Sequence, residues 1–465
     1  MWTPSELSPR GPVYQAIADA LARDLEAGRL TEGERLPTHR DLARRLGVNV
    51  VTVTRAYAEA KRRGLVEGEV GRGTFVRRGE VGPPRRAPLR QDEDGRIDLH
   101  FNLPACDPDW VDAPGLLAGL AAEGFDPLRA HYVPAGQRRH REAAARWFSR
   151  DGFQADPARS LITSGGQHAL SVALTTLTGP GDSILTAELS YPGIRSLTSL
   201  LHLSTVALPM DADGILPDAF EQACRRGNPR VLYCMPTLQN PTGLVWPEAR
   251  RREILEVAER WGVLVLEDDT TSFAVEDAPP PLAALAPERV VFASSTSKSL
   301  GPGLRIGFLH LPSEGGLGEA SHERASASLA ATSWMTPPLM AELATRLVES
   351  GQAERVVRAK RREIEVRRGL FEERFGASAS ASHPRSSFVW MPLAEPWRSS
   401  DVVEAARQRG VAITAAEDFV MGRAPAPHAV RLRLATPLQR ELLERALDVV
   451  ADVLASAPGG RRALV

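Results

Sequence analysis

The sequence predicts a multidomain chain, with a small α+β unit at the N-terminus joined by a linker to a large α/β unit that ends in a smaller α+β lobe. Three observations predict it. Residues 35–78 carry a helix, turn, helix pattern followed by two short β-type runs. Residues 79–96 hold three prolines and charges of both signs without an apolar period. From about residue 97, β-type runs alternate with helix-length segments, and beyond Glu319 long helices and a few isolated strands take over. The expected boundaries are therefore 1–78, 79–96 and 97–465, with the smaller lobe from about residue 320.

Composition fits this plan. The 465 residues are 43% apolar and 25% charged with a net charge of −1, which excludes wholesale disorder and leaves room for two or three cores. Cys106, Cys224 and Cys234 are odd in number and lack C-x-x-C spacing, so neither a disulfide framework nor a cysteine-built zinc site is expected. No basic stretch precedes an apolar run at the N-terminus, and no segment of about 18 apolar residues occurs. A cytoplasmic protein without a membrane span or a metal is the expectation.

The near-neutral total hides an asymmetry. Residues 35–78 hold eleven Lys or Arg against Asp41, Glu59, Glu67 and Glu69, a local excess of +7 on an otherwise acidic chain. Such a patch suits a polyanion. Thr38 precedes a helix read as His39 to Leu46, with Asp41 as its capping-box partner and Leu42, Ala43 and Leu46 as its apolar face. Gly47 breaks it. Asn49 caps a second helix reaching about Arg63, with Val53, Ala56, Tyr57 and Ala60 inward and Gly64 as its stop. Val13, Ile17, Ala20, Leu21 and Leu25 give an earlier amphipathic helix, while Leu65-Val66-Glu67 and Thr74-Phe75-Val76 flank a Gly-rich tip as hairpin strands would. The sum is a winged helix-turn-helix.

These residues, Leu36-Pro37-x-x-Arg40-Asp41-Leu42-Ala43, Leu46-Gly47-Val48, Thr52-Val53, Ala56-Tyr57 and Gly71-Arg72-Gly73-Thr74-Phe75-Val76, resemble the GntR-type DNA-binding domain. The resemblance implies a partner, a double-stranded DNA operator, with Arg40, Asn49, Thr52, Thr54 and Arg72 as its contacts. The second helix would then enter the major groove while the first helix and the wing touch phosphates. Val50 departs from the arginine that related regulators often place after the cap. It suits a thymine methyl and cannot make a bidentate guanine contact.

Residues 79–96 read as a semi-extended linker because of their proline content. After it, Leu161–Thr163, Ser183–Thr186, Val231–Cys234, Val263–Glu267, Val290–Ser294 and Ile306–Leu309 are strand-like and separated by helix-length segments, which predicts a largely parallel sheet between helices. Phe388-Val389-Trp390, Val411-Ala412-Ile413 and Val430 to Leu434 are the strands expected in the smaller lobe.

Chemistry concentrates at the ends of these runs. Lys298, in Ser294-Ser-Thr-Ser-Lys298-Ser-Leu-Gly-Pro-Gly-Leu-Arg305-Ile-Gly307, follows a buried strand among small residues, where poor solvation lowers its pKa and makes it a candidate imine-forming nucleophile. Asp268 at a strand end can pair with a pyridinium nitrogen. Gly165-Gly166-Gln167 follows a strand and opens a helix, a place for a phosphate.

This constellation resembles the fold-type I pyridoxal phosphate enzymes, specifically the class I aminotransferases, over roughly residues 97 to 455. The resemblance implies pyridoxal 5'-phosphate as cofactor, Lys298 as the catalytic lysine of the internal aldimine and Asp268 at the ring nitrogen. It further implies Asn240, of Asn240-Pro241-Thr242-Gly243, at the phenolic oxygen and Tyr191 stacked on the ring. Gly165, Gly166, Gln167, Ser295 and Arg305 would hold the phosphate, and Tyr132 would reach the phosphate of a partner subunit in a homodimer. Arg431, in Val430-Arg431-Leu432-x-Leu434-Ala435, would grip a ligand's α-carboxylate. One departure stands out, because Thr270 and Thr271 occupy the places where a tyrosine usually donates to the cofactor.

A GntR-type winged helix joined to an aminotransferase-like domain resembles the MocR-type transcriptional regulators. That layout implies a pyridoxal phosphate-dependent regulator sensing an amino acid, an amine or the cofactor itself through aldimine formation. Two alternatives stay open at this point: an active class I aminotransferase with a secondary winged helix, and a dimerisation scaffold with an empty pocket.

Overall fold

The computed structural model describes residues 2–4, 12–31, 33–63, 65–69, 73–76, 96–101, 111–124, 126, 132–150, 152–312, 318–422, 424–436 and 439–456. The N-terminal unit packs α1 (Val13–Glu26) and α2 (His39–Leu46) against α3 (Val50–Arg62), followed by the antiparallel pair β1 (Val66–Glu69) and β2 (Gly73–Val76). Both caps of α2 and the N-cap of α3 are those the sequence predicts, while Gly64, read as the stop of α3, lies outside the described residues. Thr38 Oγ1 accepts from the Asp41 N–H at 3.2 Å, Gly47 takes a left-handed φ of 66°, and Asn49 Oδ1 accepts from the Val51 N–H at 2.9 Å. Ile17, Leu21, Leu42, Val53, Ala56, Tyr57 and Val76 form the core. Val13, expected on the apolar face of α1, is the first residue of that helix and is exposed.

The large unit holds a seven-stranded sheet in the order β4-β12-β11-β10-β9-β5-β6. Before it come β3 (Ile97–Asp98), α4 (Ala113–Ala122) and α5 (Arg138–Phe148). Then follow β4 (Ser160–Thr163), α6 (Gly166–Leu177), β5 (Ser183–Ala187), α7 (Pro192–Leu200) and β6 (Ser204–Leu208), a short hairpin β7 (Met210–Asp211) and β8 (Gly214–Ile215), and α8 (Pro217–Arg226). The chain continues through β9 (Val231–Cys234), α9 (Glu248–Trp261), β10 (Leu264–Asp268), α10 (Leu282–Leu285), β11 (Val290–Ser295), α11 (Thr296–Ser299) and β12 (Gly307–His310). All pairings are parallel except those of β12, which runs against β11 and β4.

Both faces of this sheet are covered, and the period of two decides which side chain faces which way. Leu232, Val265, Phe292 and Phe308 enter one core, while Tyr233, Leu266, Val291 and Leu309 enter the other. The edge strand β6 escapes sequence reading because its exposed and half-buried alternation lacks a continuous apolar run.

Three helices follow, α12 (Gly318–Ser333), α13 (Pro338–Glu349) and α14 (Gln352–Phe375). After them come β13 (Phe388–Pro392), α15 (Ser399–Gln408), β14 (Val411–Ala412), β15 (Thr414–Ala415), β16 (Ala429–Arg433) and α16 (Arg440–Ala455). β13, β16 and β15 form a second sheet, and β14 pairs with β3. The run read as Val411 to Ile413 is thus the short strand Val411–Ala412, which breaks at Ile413 ahead of β15. Among the described residues no helix is long and apolar enough to cross a membrane, and no group of three or more His, Cys, Asp or Glu is placed to hold a metal ion.

Candidate functional site

Parallel strands deliver the loops after their C-terminal ends to one crevice, the usual ligand position in α/β sheets. The residues singled out from the sequence lie in those loops: Gly165 after β4, Tyr191 after β5, Asn240 after β9, Asp268 at the end of β10, and Lys298 on α11 directly after β11.

Asp268 is buried and its carboxylate is aimed by three donors. Thr270 Oγ1 donates to Oδ1 at 2.7 Å, the Thr270 N–H reaches the same oxygen at 3.2 Å, and the Tyr233 hydroxyl donates to Oδ2 at 2.9 Å. Burial still raises the Asp268 pKa above the ordinary carboxylate range, against the pull of these hydrogen bonds. Thr270 therefore serves the aspartate. Thr271 turns the other way, its hydroxyl donating to the Thr237 and Leu238 carbonyls at 3.2 and 3.3 Å.

Lys298 sits on a helix of one turn, capped by Ser295, whose Oγ accepts from the Ser297 N–H at 3.0 Å. Burial pushes the Lys298 ammonium down to about 7, helped by the positive charges of Arg433, Arg431 and Lys360 and opposed by Asp268. An amine with that pKa is substantially neutral at physiological pH, the form a nucleophile needs.

The loop between β4 and α6 forms a cradle. Gly165 has φ of 94°, and a Cβ there would lie 2.6 Å from Arg305 Nη2. A Cβ on Gly166 would come within 3.2 Å of the Ser295 Cβ. The left-handed φ at Gly165 favours glycine there, and the helix that follows begins with first-turn N–H groups that α6 itself does not pair. Arg305 is itself in the left-handed region at φ 51° and donates to the Ser164 carbonyl at 3.2 Å. The Gln167 side chain is occupied: its Nε2 donates to the Gly193 carbonyl at 3.0 Å, and its Oε1 accepts from the Tyr191 hydroxyl at 3.1 Å. What Gln167 offers an anion is its backbone N–H, while its side chain fixes the Tyr191 ring. Burial pushes the Tyr191 phenol up to about 12, so it stays protonated.

Arg431 projects from β16 with its guanidinium buried. Nη1 donates to Asn240 Oδ1 at 2.8 Å, and Nη2 donates to the His100 carbonyl at 2.6 Å and to Thr414 Oγ1 at 3.3 Å. Nε finds no hydrogen-bond partner among the described residues. The Phe419 ring lies 4.7 Å from the guanidinium carbon. An unpaired buried donor costs about 1–3 kcal/mol, so this Nε marks a place for an acceptor. The Arg431 bond also orients Asn240, leaving its amide N–H groups for another acceptor.

Tyr132 lies apart from this cluster. It is 48% exposed and packs edge-to-face at 5.2 Å on Trp334, which is 70% exposed at a φ of 60°.

In the N-terminal unit, Arg40 and Thr54 are exposed, Thr52 is half-buried, and Asn49 spends its side chain on the α3 cap. Thr54 Oγ1 donates to the Val50 carbonyl at 3.0 Å and lies 3.2 Å from His39 Nδ1. Arg72 lies outside the described residues. Val50 and Val51 are 40% and 59% exposed at the start of α3. A polar crevice lies where Gln15, Asp19 and Arg63 face Arg398, Glu417 and His428 of the C-terminal lobe.

Sequence reading missed Tyr233, whose place in a buried β run looks like core, and Lys360, which stands in a basic helix. It also missed Val51, which only its exposure singles out.

Comparisons with known proteins agree with this geometry. Residues 122–450 match the model of aminotransferase class I and II, and residues 13–76 that of bacterial regulatory proteins, gntR family. Over 458 residues the chain is 30% identical to the uncharacterized HTH-type transcriptional regulator YdeF of Bacillus subtilis (strain 168), covering 97% of this chain and 96% of that protein. It is 29% identical over 347 residues to the HTH-type transcriptional regulator TauR of Rhodobacter capsulatus, covering 65% and 68%. Among solved structures it is similar to LysN, the alpha-aminoadipate aminotransferase of Thermus thermophilus, with TM-score 0.69, 26% identity, and 81% and 96% of the two chains covered.

Proposed function

Since the chain belongs to the aminotransferase class I and II family and joins that domain to a gntR-family DNA-binding domain in the MocR-type layout, we propose how this pyridoxal phosphate-dependent, DNA-binding regulator reads its signal: a small amine-bearing molecule, an amino acid first of all, enters the crevice at Lys298. When bound, the cofactor supplies an aldehyde that condenses with primary amines and a conjugated ring that absorbs visible light.

The residues present fit that group. The Gly165–Gly166 cradle, with the α6 N–H groups, Ser295 and Arg305, has the space and charge for a phosphate. Tyr191, fixed by Gln167, is suited to stack on the ring, Asn240 to donate to the phenolic oxygen, and Asp268 to hold the ring nitrogen. Lys298 is the amine that links the cofactor and yields it to a ligand. The exposed Tyr132–Trp334 pair suits a homodimer in which Tyr132 reaches the partner's phosphate site. On the DNA side, Arg40 is placed for a phosphate, with Asn49, Thr52 and Thr54 at the head of the recognition helix. The exposed Val50 and Val51 favour thymine methyls there. Division at about residues 78 and 97 belongs to the same reading.

The observation that carries the ligand reading is Arg431: a buried guanidinium held by Asn240 and His100 with its Nε unpaired is built for a carboxylate. Phe419 against Arg431 is one residue from Asp418 and two from Glu417 at the crevice facing the N-terminal unit, which gives ligand occupancy a route to the DNA-binding unit.

The test is to titrate the purified full-length protein with amino acids and amines while following cofactor absorbance and DNA affinity together. A shift in both with little keto acid released supports the regulator. Sustained turnover with 2-oxoglutarate at roughly 1 s⁻¹ or faster, the low end of ordinary enzyme rates, moves the weight to an aminotransferase.

A further inference from the structure

We infer that Lys360 is a positioning residue for Lys298: its buried ammonium anchors the one-turn helix carrying Lys298 and holds a fixed positive charge beside the Lys298 amine. The inference rests on the proposed role of Lys298 as the amine that links the cofactor.

Lys360 lies in the middle of α14 and is 2% exposed, a rare position for a lysine. Its Nζ donates to the Lys298 carbonyl at 3.0 Å and to the Leu300 carbonyl at 3.3 Å. Those carbonyls close α11, a helix of four residues that cannot hold its own geometry by internal hydrogen bonds. The ammonium thus takes the place of the missing next turn, and it does so with a cation, which a helix C-terminus favours. A lysine that must alternate between a linked and a released state needs its backbone fixed while its side chain moves.

The charge has a second effect. Facing the Lys298 amine are Arg431 and Arg433 from β16, Lys360 from α14, and Asp268 from β10. Burial first, and then three cations against one carboxylate, lower the pKa of the amine, and Lys360 is the cation whose hydrogen bond reaches the Lys298 backbone itself. Arg431 is committed to Asn240 and His100, so it cannot take over the anchoring.

Three full-length variants test whether the charge at Lys360 acts on the Lys298 amine. Lys360→Met removes donor and charge, Lys360→Gln keeps a donor without charge, and Lys360→Arg keeps both. The first readout is the pH dependence of the rate at which cofactor-free protein takes up pyridoxal phosphate, which reports the neutral Lys298 amine. The second is the pH titration of the visible band of the bound cofactor. Wild type is expected to take up cofactor with a midpoint near pH 7, set by the Lys298 amine. Lys360→Met and Lys360→Gln should move that midpoint up by about one unit, an uptake about fivefold slower at pH 7, with Lys360→Arg close to wild type. Thermal melting and DNA binding check that each variant is folded. If Lys360→Met does not fold, the Gln and Arg variants decide. A wild-type midpoint in the folded Gln variant, or a midpoint in Lys360→Arg shifted as far as in the neutral variants, overturns the inference. Retention of a covalent visible band in Lys298→Ala would instead overturn the parent reading of Lys298, so the two failures are distinguishable.

Discussion

Thr270→Val tests the use the structure makes of a residue that stands where a tyrosine is usual. Valine keeps the shape of the side chain and removes the hydroxyl that donates to Asp268 at 2.7 Å, leaving the Thr270 N–H at 3.2 Å and the Tyr233 hydroxyl at 2.9 Å. A hydrogen bond to a charged group contributes about 1.5–3 kcal/mol, and Asp268 is buried, so solvent does not replace the lost donor. The bond exists before the cofactor enters, so its loss reaches affinity only through what the bond gains once Asp268 holds the ring nitrogen, and its whole energy sets the upper bound, a pyridoxal phosphate Kd raised up to about 100-fold at pH 7. The sign of the pH effect follows. Burial already raises the Asp268 pKa, and the lost donor raises it further, so the carboxylate is protonated at a higher pH and cofactor affinity in the variant falls off earlier as pH is lowered. Equilibrium titration of cofactor-free protein between pH 6 and about 8.5 measures both, with Thr270→Ser as the variant that restores the donor. A Kd within about twofold of wild type, with an unchanged pH profile, would refute the argument that Thr270 serves the aspartate.

Other substitutions separate the remaining parts. Lys298→Ala should abolish the covalent visible band while leaving the fold intact, because Lys298 is the amine that burial and its cationic neighbours keep reactive; absorbance with and without borohydride reduction checks it. Arg431→Ala should remove the spectral and DNA-affinity response to carboxylate-bearing ligands while sparing amines without a carboxylate, and an unchanged response to amino acids would mean that the buried Nε serves another acceptor. Arg40→Ala should weaken DNA binding and reduce its salt slope by about one phosphate contact without altering the cofactor spectrum, as a mobility-shift series at several salt concentrations would report.

Much of the fold is legible in the sequence because local rules and burial agree. The run His39–Leu46 reads as a helix and is one, since Thr38 and Asp41 cap it and Gly47 ends it in the left-handed conformation. Val231–Cys234 reads as a strand at its observed bounds because it is buried on both faces. Legibility fails where one face is wet or the chain turns within a run, as in the edge strand Ser204–Leu208 and the break at Ile413. For the site, position in sequence reveals which loops meet at the sheet's C-terminal edge but not what each side chain does there. Gln167, singled out as a phosphate contact, has its amide committed to Tyr191 and Gly193.

The residues that sequence reading missed are those that aim other residues. Tyr233 alternates into a core face like any strand aromatic and carries no motif, yet its hydroxyl ends at Asp268. Lys360 is camouflaged in a basic helix, but it holds the register of the buried face through Val356, Val357, Ile364 and Phe371, where an unpaired ammonium would be too costly to bury. A lysine in the apolar register of a charged helix was the available signal. It distinguishes Lys360 from its exposed neighbours because burial at that register obliges its three donors to find acceptors, and two of those it finds are the carbonyls of Lys298 and Leu300. Thr270 follows the same logic. Lacking a phenol to reach a cofactor, it is the right length to reach the carboxylate two residues before it, so the site keeps a tightly aimed aspartate where a tyrosine would have served the ring. The hydroxyl at this position is thus spent on Asp268, and Thr270→Val together with the 2-oxoglutarate turnover assay reads what that use is worth.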